Sequence, residues 1–231
     1  MSSLQAEQAE AEPRYEFSNS WFSGNIPLFA RFLAGLKDRP CRLLEIGSYE
    51  GRSATWLIDH IATHPSAVID AVDAREHPRL RRNLAATGHP DKVTFHLGQS
   101  AVVLRTLPLD SYDFAYIDGC HWTVNVLEDA VHAFRLLKAG GIMAFDDYTW
   151  DDPSENQEGR PKEAVDAFLF IYRDQIELLH RGDQVWIRKK LPGEIVHRKL
   201  PPLKGPQWLR HPRKQFVAFA HSLMRRLQLD V

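Results

Sequence analysis

Short apolar runs alternate along the chain with stretches in which apolar residues recur at helical spacing. Val124, Leu127 and Val131 show the spacing of an amphipathic helix. Strands that alternate with helices pair in parallel, so the sequence predicts an α/β fold with an open, doubly wound sheet. Ligands of such sheets bind at the carboxyl ends of the strands. Five runs have the character of buried strands, at residues 43–46, 67–73, 93–97, 112–117 and 142–145.

Two further apolar runs predict an antiparallel hairpin. Residues 176–180 and 184–190 flank a turn at residues 181–183. A helix from Pro161 to about Asp174 is predicted before them. We expect the hairpin to close one edge of the sheet.

An amphipathic helix is also predicted before the first strand. Apolar residues from Ile26 to Leu36 have helical spacing, and the pattern stops before Pro40. Trp21 and Phe22 lie just before this helix. Two interpretations are open: these side chains pack on the sheet, or they form part of a lid over a bound ligand.

Composition narrows the classes of protein that fit this pattern. A chain of 231 residues with 44% hydrophobic content can bury one sizeable core, so we expect one domain with appendages. The net charge of -1 gives no global argument for nucleic-acid binding. Cys41 and Cys120 are far apart and indicate neither a metal site nor a disulfide framework. We see no signal-peptide or membrane-span pattern and expect a cytoplasmic protein.

The two ends of the chain differ in composition from the middle. Residues 1–18 are polar and lack apolar periodicity, which predicts a flexible leader before a domain at residues 19–190. Residues 191–231 form a basic, proline-rich linker and, from Arg213, a predicted amphipathic helix. Such a helix docks on its own domain, on a second subunit of a homo-oligomer, or on a membrane surface or acidic partner. Nucleic acid is the least favoured partner.

The most informative stretch joins the first strand to the helix that follows it. Residues 43–57 read LLEIGSYEGRSATWL, an apolar run, a small polar loop and then helical periodicity. Gly47 can take a positive φ without steric cost, and Gly51 leaves room for a ligand at the helix N-terminus. The spacing differs from the dinucleotide fingerprint GxGxxG, and Glu45 suits a cationic ligand better than a pyrophosphate.

This stretch resembles the first motif, ExGxxxG, of class I S-adenosylmethionine (SAM)-dependent methyltransferases. The run LEIGSYEGRS is closest to catechol O-methyltransferase-like enzymes and bacterial small-molecule methyltransferases. The resemblance covers about residues 21–190. It implies a Rossmann-like sheet of seven strands, with a reversed strand inserted next to the fifth.

The resemblance also implies a binding site for SAM. Asp73 ends the second strand, where an acidic residue accepts hydrogen bonds from the ribose hydroxyls. Residues 98–100 follow the third strand, where the family contacts adenine. The predicted cofactor-binding residues are Glu45, Gly47, Ser48, Tyr49, Gly51, Ser53, Asp73, Gly98, Gln99, Ser100 and Asp118.

Three carboxylates at the ends of the fourth and fifth strands predict a metal site. Asp118 follows the fourth strand, and Asp146 and Asp147 follow the fifth. Oxygen ligands with open positions suit a hard cation such as Mg²⁺. The pattern IDGxH followed by GGxxxFDDY resembles the metal-dependent branch of the family, in which these aspartates hold the metal. In the alternative interpretation the pair only caps a strand and Asp118 faces the cofactor.

His121 is the predicted general base, with Asp118 as its catalytic neighbour. A histidine can take a hydroxyl proton near neutral pH. Cys120 stands where relatives with a DGDxY motif place an aspartate thought to act as the base, so the identity of the base stays open. No partner base accompanies Cys120, which argues against a nucleophilic role.

The sequence therefore predicts metal-assisted transfer of a methyl group from SAM to a hydroxyl of a small molecule. Trp122, Tyr148 and Trp150 suit a flat or sugar-like acceptor. Two alternatives are a metal-independent methyltransferase and a non-catalytic SAM-fold protein that binds a partner through its basic C-terminal helix. A nicotinamide dehydrogenase has the wrong glycine spacing.

Overall fold

The computed structural model describes residues 14–150 and 160–195. Most of the predicted leader, the polar loop after Trp150 and the predicted C-terminal helix lie outside the described residues. The strands are β1 (Arg42–Ile46), β2 (Val68–Asp73), β3 (Val93–Leu97), β4 (Tyr112–Ile117), β5 (Leu137–Phe145), β6 (Ile176–Arg181) and β7 (Val185–Lys189). The helices are α1 (Ile26–Leu33), α2 (Arg52–His60), α3 (Leu80–Ala86), α4 (Ser100–Val103), α5 (Thr123–Leu136) and α6 (Pro161–Tyr172). None of the described helices is long and apolar enough to span a membrane.

The seven strands form one sheet in the order β3-β2-β1-β4-β5-β7-β6. The first five strands are parallel, and β7 is antiparallel to both of its neighbours, β5 and β6. The predicted doubly wound sheet and the reversed strand beside β5 are therefore confirmed. The strand order reverses between β1 and β4, and this switch point is where open α/β sheets bind ligands.

Each face of the sheet carries its own apolar layer. Neighbouring residues of a strand point to opposite faces, so Leu43 joins the layer with α1, α2 and α3, whereas Leu44 joins the layer with α5 and α6. Phe29 of α1 is fully buried, and its ring lies 4.9 Å from Tyr116 and 5.0 Å from Trp186. This aromatic packing holds the start of α1 at the carboxyl ends of β4 and β5.

β5 is longer than its sequence predicts. It begins at Leu137 rather than at residue 142, because residues 137–141, which include Gly140 and Gly141, continue the strand through an irregularity opposite β4. Gly140 has φ +84°, and a Cβ on Gly141 would lie 3.1 Å from the carbonyl oxygen of Tyr112. The glycines thus mark close packing of the backbone here and not the end of the preceding helix.

The described domain also includes residues 14–18, which are predicted as part of the leader. Tyr15 Oη donates a hydrogen bond of 2.6 Å to Asp59 of α2. The backbone N–H of Ser18 donates one of 2.7 Å to Glu50, in the loop before α2. These contacts extend the domain towards the N-terminus, to Arg14 at least.

Candidate active site

A cavity of about 1330 Å³ opens at the carboxyl ends of β1, β2, β4 and β5. Single small ligands occupy pockets of about 300–1,000 Å³. The cavity therefore has room for a nucleoside-sized molecule together with a second, smaller one. The predicted site residues that line it are Gly47, Ser48, Tyr49, Ser53, Asp73, Gln99, Ser100, Asp118, His121, Asp146 and Asp147.

The loop between β1 and α2 forms one end of the cavity, which we call the cofactor half. Gly47 has φ +90°, and a Cβ there would lie 2.0 Å from the backbone carbonyl oxygen of Asp118. Gly51 has φ +80°, and its Cβ would lie 2.8 Å from a methyl group of Leu80. Side chains at either position would push the loop away from β4 or from α3. The two glycines are therefore required by the local backbone geometry.

Glu45 is a buried carboxylate behind this loop. Its Oε1 accepts a hydrogen bond from Ser53 Oγ, while Oε2 has no partner within the described part of the chain. Burial raises the pKa of Glu45 to about 7, although the hydrogen bond from Ser53 opposes this effect. Ser48 Oγ is also buried; it makes no hydrogen bond of regular geometry in the described residues but is near enough to Glu45 to lower the pKa of that carboxyl. A donor that carries positive charge would satisfy the unpaired carboxylate oxygen.

Asp73 lies at the end of β2, as predicted, and connects β2 to the glycine loop. Its Oδ2 accepts hydrogen bonds of 3.0 Å from the backbone N–H groups of both Ser48 and Tyr49. Its Oδ1 accepts one of 3.0 Å from the N–H of Arg75. Oδ1 can accept one further hydrogen bond, so Asp73 can fix the loop and still receive a ribose hydroxyl. The ribose-binding role stays a prediction.

The predicted adenine-contacting residues lie beside Asp73. The backbone N–H of Gly98 donates to the carbonyl oxygen of Asp73 at 2.9 Å, which brings the ends of β2 and β3 together. Gln99 and Ser100, the latter at the start of α4, line the cavity next to this junction. Gly98, like Glu45 and Gly51, lies behind the cavity wall.

The opposite end of the cavity, the acceptor half, contains Asp118, His121 and Asp147. One potential ligand atom from each of these residues lies within 4.8 Å of the other two. His121 Nε2 is 2.8 Å from Asp147 Oδ2, and its ring stacks on Trp150 at 4.6 Å. Burial and then the charge of Asp146 and that of Asp147 raise the pKa of Asp118 well above its usual range. A bound cation would relieve this repulsion.

Asp146 is the member of the predicted metal set that the structure uses differently. Its Oδ2 accepts hydrogen bonds from Asn25 Nδ2, at 2.8 Å, and from the Tyr116 hydroxyl. Its Oδ1 accepts from Gln184 Nε2, at 3.1 Å, and from the backbone N–H of Asp147, at 3.0 Å. The described cluster that could hold a cation therefore contains His121 in place of Asp146.

Three residues that donate hydrogen bonds to Asp146 were not among the site residues predicted from the sequence. Tyr116 belongs to a regular strand pattern, and nothing in its spacing marks its hydroxyl as functional. Asn25 precedes α1 and Gln184 precedes β7, so both reach Asp146 from distant parts of the chain. The sequence did indicate that the segment before α1 could reach a ligand, and Trp21 and Phe22 of this segment line the cavity.

One protein-family model matches the part of the chain that contains the glycine loop and the acidic strand ends. Residues 44–148, a little under half of the chain, match the model of a family described as a methyltransferase domain. The resemblance read from the sequence is thus confirmed. No curated protein sequence matches the chain at a significant level.

Solved structures with the same fold include several O-methyltransferases. TomG from Streptomyces achromogenes, in complex with SAM, has a TM-score of 0.59 and 19% identity, over 75% of this chain and 82% of that one. The Bacillus cereus O-methyltransferase in complex with SAH has a TM-score of 0.57 and 16% identity, over 77% and 84%. MycE, from the mycinamycin biosynthetic pathway and in complex with Mg, SAH and mycinamycin VI, has a TM-score of 0.54 and 16% identity, over 84% of this chain and 54% of MycE.

Proposed function

We propose that this protein transfers a methyl group from SAM to a hydroxyl of a small molecule, assisted by a divalent cation. The observation that carries the proposal is the division of one cavity into two chemically different halves. Directly behind the cofactor half lies an unpaired buried carboxylate oxygen on Glu45. The acceptor half has a histidine and two carboxylates grouped at one point.

The cofactor half fits the chemistry of SAM. SAM carries an ammonium group, a sulfonium and a nucleoside, and the Glu45 carboxylate directly behind the cavity wall favours positive charge in this half. Asp73 Oδ1 has acceptor capacity left for one ribose hydroxyl. When bound, SAM supplies an electrophilic methyl group. The SAM and SAH complexes of TomG and the Bacillus cereus enzyme support this assignment.

The acceptor half fits a hard divalent cation such as Mg²⁺. Mg²⁺ prefers oxygen ligands, so Asp118 and Asp147 would hold it, leaving His121 for proton transfer. Asp146 would support these ligands from behind, because its own oxygens already accept four hydrogen bonds. When bound, the cation would lower the pKa of an acceptor hydroxyl. The magnesium in the MycE complex supports this assignment.

His121 acts as the general base in this proposal. Because Nε2 faces the Asp147 carboxylate, the other ring nitrogen, Nδ1, accepts the hydroxyl proton, and Trp150 limits rotation of the imidazole by stacking on it. Asp147 orients the ring through the 2.8 Å contact. The hydroxyl oxygen and the methyl group must meet in line, so positioning by the cavity walls should account for most of the rate. Trp122 and Trp150 offer apolar faces to a flat or sugar-like acceptor.

Calorimetric titration of SAM and Mg²⁺ into the full chain tests the proposal. We expect micromolar SAM affinity and a separate Mg²⁺ binding event that Asp147→Asn removes. The matched control is Asp183→Asn, because Asp183 also lines the cavity but bonds to Thr149 and is not in the cation cluster. This control should retain both binding events.

An assay of SAM conversion to SAH with a panel of vicinal-hydroxyl acceptors extends the test to catalysis. His121→Ala should lower turnover by about 10²- to 10⁴-fold and leave SAM affinity within about twofold. Turnover that persists in EDTA would replace this proposal with a metal-independent methyltransferase. A chain that binds no SAM under any condition would instead be a non-catalytic protein of this fold.

A further inference from the structure

The carboxylate of Asp146 is fully occupied by hydrogen-bond donors from the protein. Two donors, Asn25 Nδ2 and the Tyr116 hydroxyl, bond to Oδ2. Two more, Gln184 Nε2 and the Asp147 N–H, bond to Oδ1. A carboxylate offers about four lone-pair sites, so none is left for a cation or an acceptor. Asp146 therefore acts on the site through the geometry that it imposes on its neighbours.

The neighbour most directly affected is Asp147. Its backbone has φ +53°, a left-handed conformation that is unfavourable for a residue with a side chain. The hydrogen bond from its N–H to Asp146 Oδ1 stabilises this turn. This backbone conformation places the Asp147 carboxylate against His121 and within the cation cluster with Asp118. Movement of Asp146 would therefore displace Asp147 from the site.

The orientation of the Gln184 amide is fixed by a second hydrogen bond. The indole N–H of Trp186 can only donate, and it donates to Gln184 Oε1 at 2.9 Å. The amide nitrogen of Gln184 must then face Asp146. Both residues are buried: Gln184 directly precedes β7, and Trp186 lies within it. The Gln184 amide is therefore held by the sheet.

Asn25 is the donor that comes from outside the sheet. It precedes α1, and its carbonyl oxygen accepts hydrogen bonds from the N–H groups of Leu28 and Phe29, which fix the backbone at this point. The same segment also contacts the cofactor half: Trp21 stacks on Tyr49, and Arg52 donates to Ser23 Oγ at 2.9 Å. Asn25 thus connects a segment that borders the cofactor half with the carboxylates of the acceptor half.

We propose that Asn25 is a positioning residue for the acceptor half, holding Asp146 so that Asp147 presents its carboxylate to a divalent cation. This inference rests on the proposed function, because it concerns the same cation site. It differs from a general structural role in one respect: loss of the Asn25 amide should weaken cation binding and leave cofactor binding intact.

Titration of Mn²⁺ into the SAH-loaded full chain tests this inference without an acceptor. Mutation of the residues that support metal ligands through hydrogen bonds typically costs about 10- to 100-fold in metal affinity. We expect a loss of this size in both Asn25→Ala and Asn25→Asp, with SAH affinity within about twofold of the wild type. Asn25→Asp keeps the shape of the side chain and replaces the N–H donor with a carboxylate oxygen that repels Asp146. Asn125→Ala is the matched control, because Asn125 lines the same cavity from α5, and it should bind Mn²⁺ like the wild type.

The wild-type titration separates failure of this inference from failure of the proposed function. If the wild type binds SAH and Mn²⁺ and both Asn25 variants keep the Mn²⁺ affinity, the inference alone is overturned. Equal losses of SAH and Mn²⁺ affinity in these variants would also overturn it, because Asn25 would then only support the fold. A wild type that binds SAH but no Mn²⁺ removes the cation from both proposals, and one that binds neither ligand refutes the proposed function itself.

Discussion

Backbone groups that are close in sequence shape the cofactor half of the cavity, whereas side chains from distant parts of the chain shape the acceptor half. In the cofactor half, two glycines and two backbone N–H groups do most of the shaping, and Asp73 lies only 24 or 25 residues from the loop that it holds. In the acceptor half, side chains meet from distant places. Asn25 is 121 residues from Asp146, and Gln184 is 38 residues from it.

This difference determines how each half of the cavity responds to amino-acid substitutions. A loop shaped by backbone contacts has no room for an added atom, so substitutions in the cofactor half should act through steric exclusion. A network of side chains loses one hydrogen bond at a time, so substitutions in the acceptor half should act in graded steps. The predictions below test this contrast, beginning with the largest effect.

Gly47→Ala should have the largest effect. The new Cβ would lie 2.0 Å from the backbone oxygen of Asp118, in a residue whose φ of +90° already disfavours alanine. We expect a loss of stability of about 3 kcal/mol or more and no measurable SAM binding. Thermal unfolding and calorimetry measure both effects.

Gly35→Ala is the control for this substitution. Gly35 lies in the 3₁₀ turn Ala34–Leu36, and a Cβ there would meet no atom within 4 Å. Its unfolding temperature and SAM affinity should stay close to those of the wild type. A Gly47→Ala protein with normal SAM affinity would show that the loop can move away from Asp118, and the contrast between the two halves would fail.

The same contrast explains what the sequence alone could predict. The sheet could be predicted because its strands are short apolar runs with clear ends, and Gly47 and Gly51 could be identified because a backbone constraint selects a residue type locally. The start of β5 could not, since the pair Gly140-Gly141 is typical of a turn until its packing against Tyr112 is known.

The acceptor half was predictable only in part, for a related reason. Asp118, His121 and Asp147 follow strands at motif spacing, so their grouping could be foreseen. The role of Asp146 depends on donors whose positions are set by docking of α1 and closure of the β6–β7 hairpin. An amide such as Asn25 or Gln184 carries no spacing signal of its own, so its contact with Asp146 could not be predicted from the sequence.

Glu45→Gln should have an intermediate effect that depends on pH. Because the pKa of Glu45 is about 7, the carboxylate is mostly ionised at pH 8 and mostly protonated at pH 6. If the ionised form binds cationic SAM, wild-type affinity should fall by about tenfold between these pH values. Glu45→Gln should bind weakly at both. Glu50→Gln is the control and should keep the wild-type pH dependence, since hydrogen bonds from Ser18 and Arg79 outweigh burial and lower the pKa of Glu50.

Glu45 should make the stability of the ligand-free protein fall as pH rises, whereas it should make SAM affinity increase. The folded-state pKa is raised from the ordinary value of 4.5 to about 7, so the folded state holds a proton that the unfolded state has lost between these values. The contribution of Glu45 to stability therefore falls as pH rises through this window and stays low above it. Glu45→Gln should accordingly be more stable than the wild type at pH 8. A variant that is less stable than the wild type at that pH would contradict the raised pKa.

Trp21→Ala should have the smallest effect, because Trp21 lines the cavity with a largely exposed side chain. Its side chain is 77% exposed, and its ring stacks on Tyr49 with centroids 6.0 Å apart. An aromatic contact of this kind contributes about 0.5–1.5 kcal/mol, so SAM affinity should fall by about 2- to 10-fold. Trp21→Phe should restore most of this loss, and Phe170→Ala, an exposed aromatic residue of α6, should cause none. Mn²⁺ affinity should stay unchanged in Trp21→Ala, although Asn25 lies only four residues away. If Trp21→Ala weakens Mn²⁺ binding as well, residues 21–25 act as one unit and the two halves of the cavity are not independent.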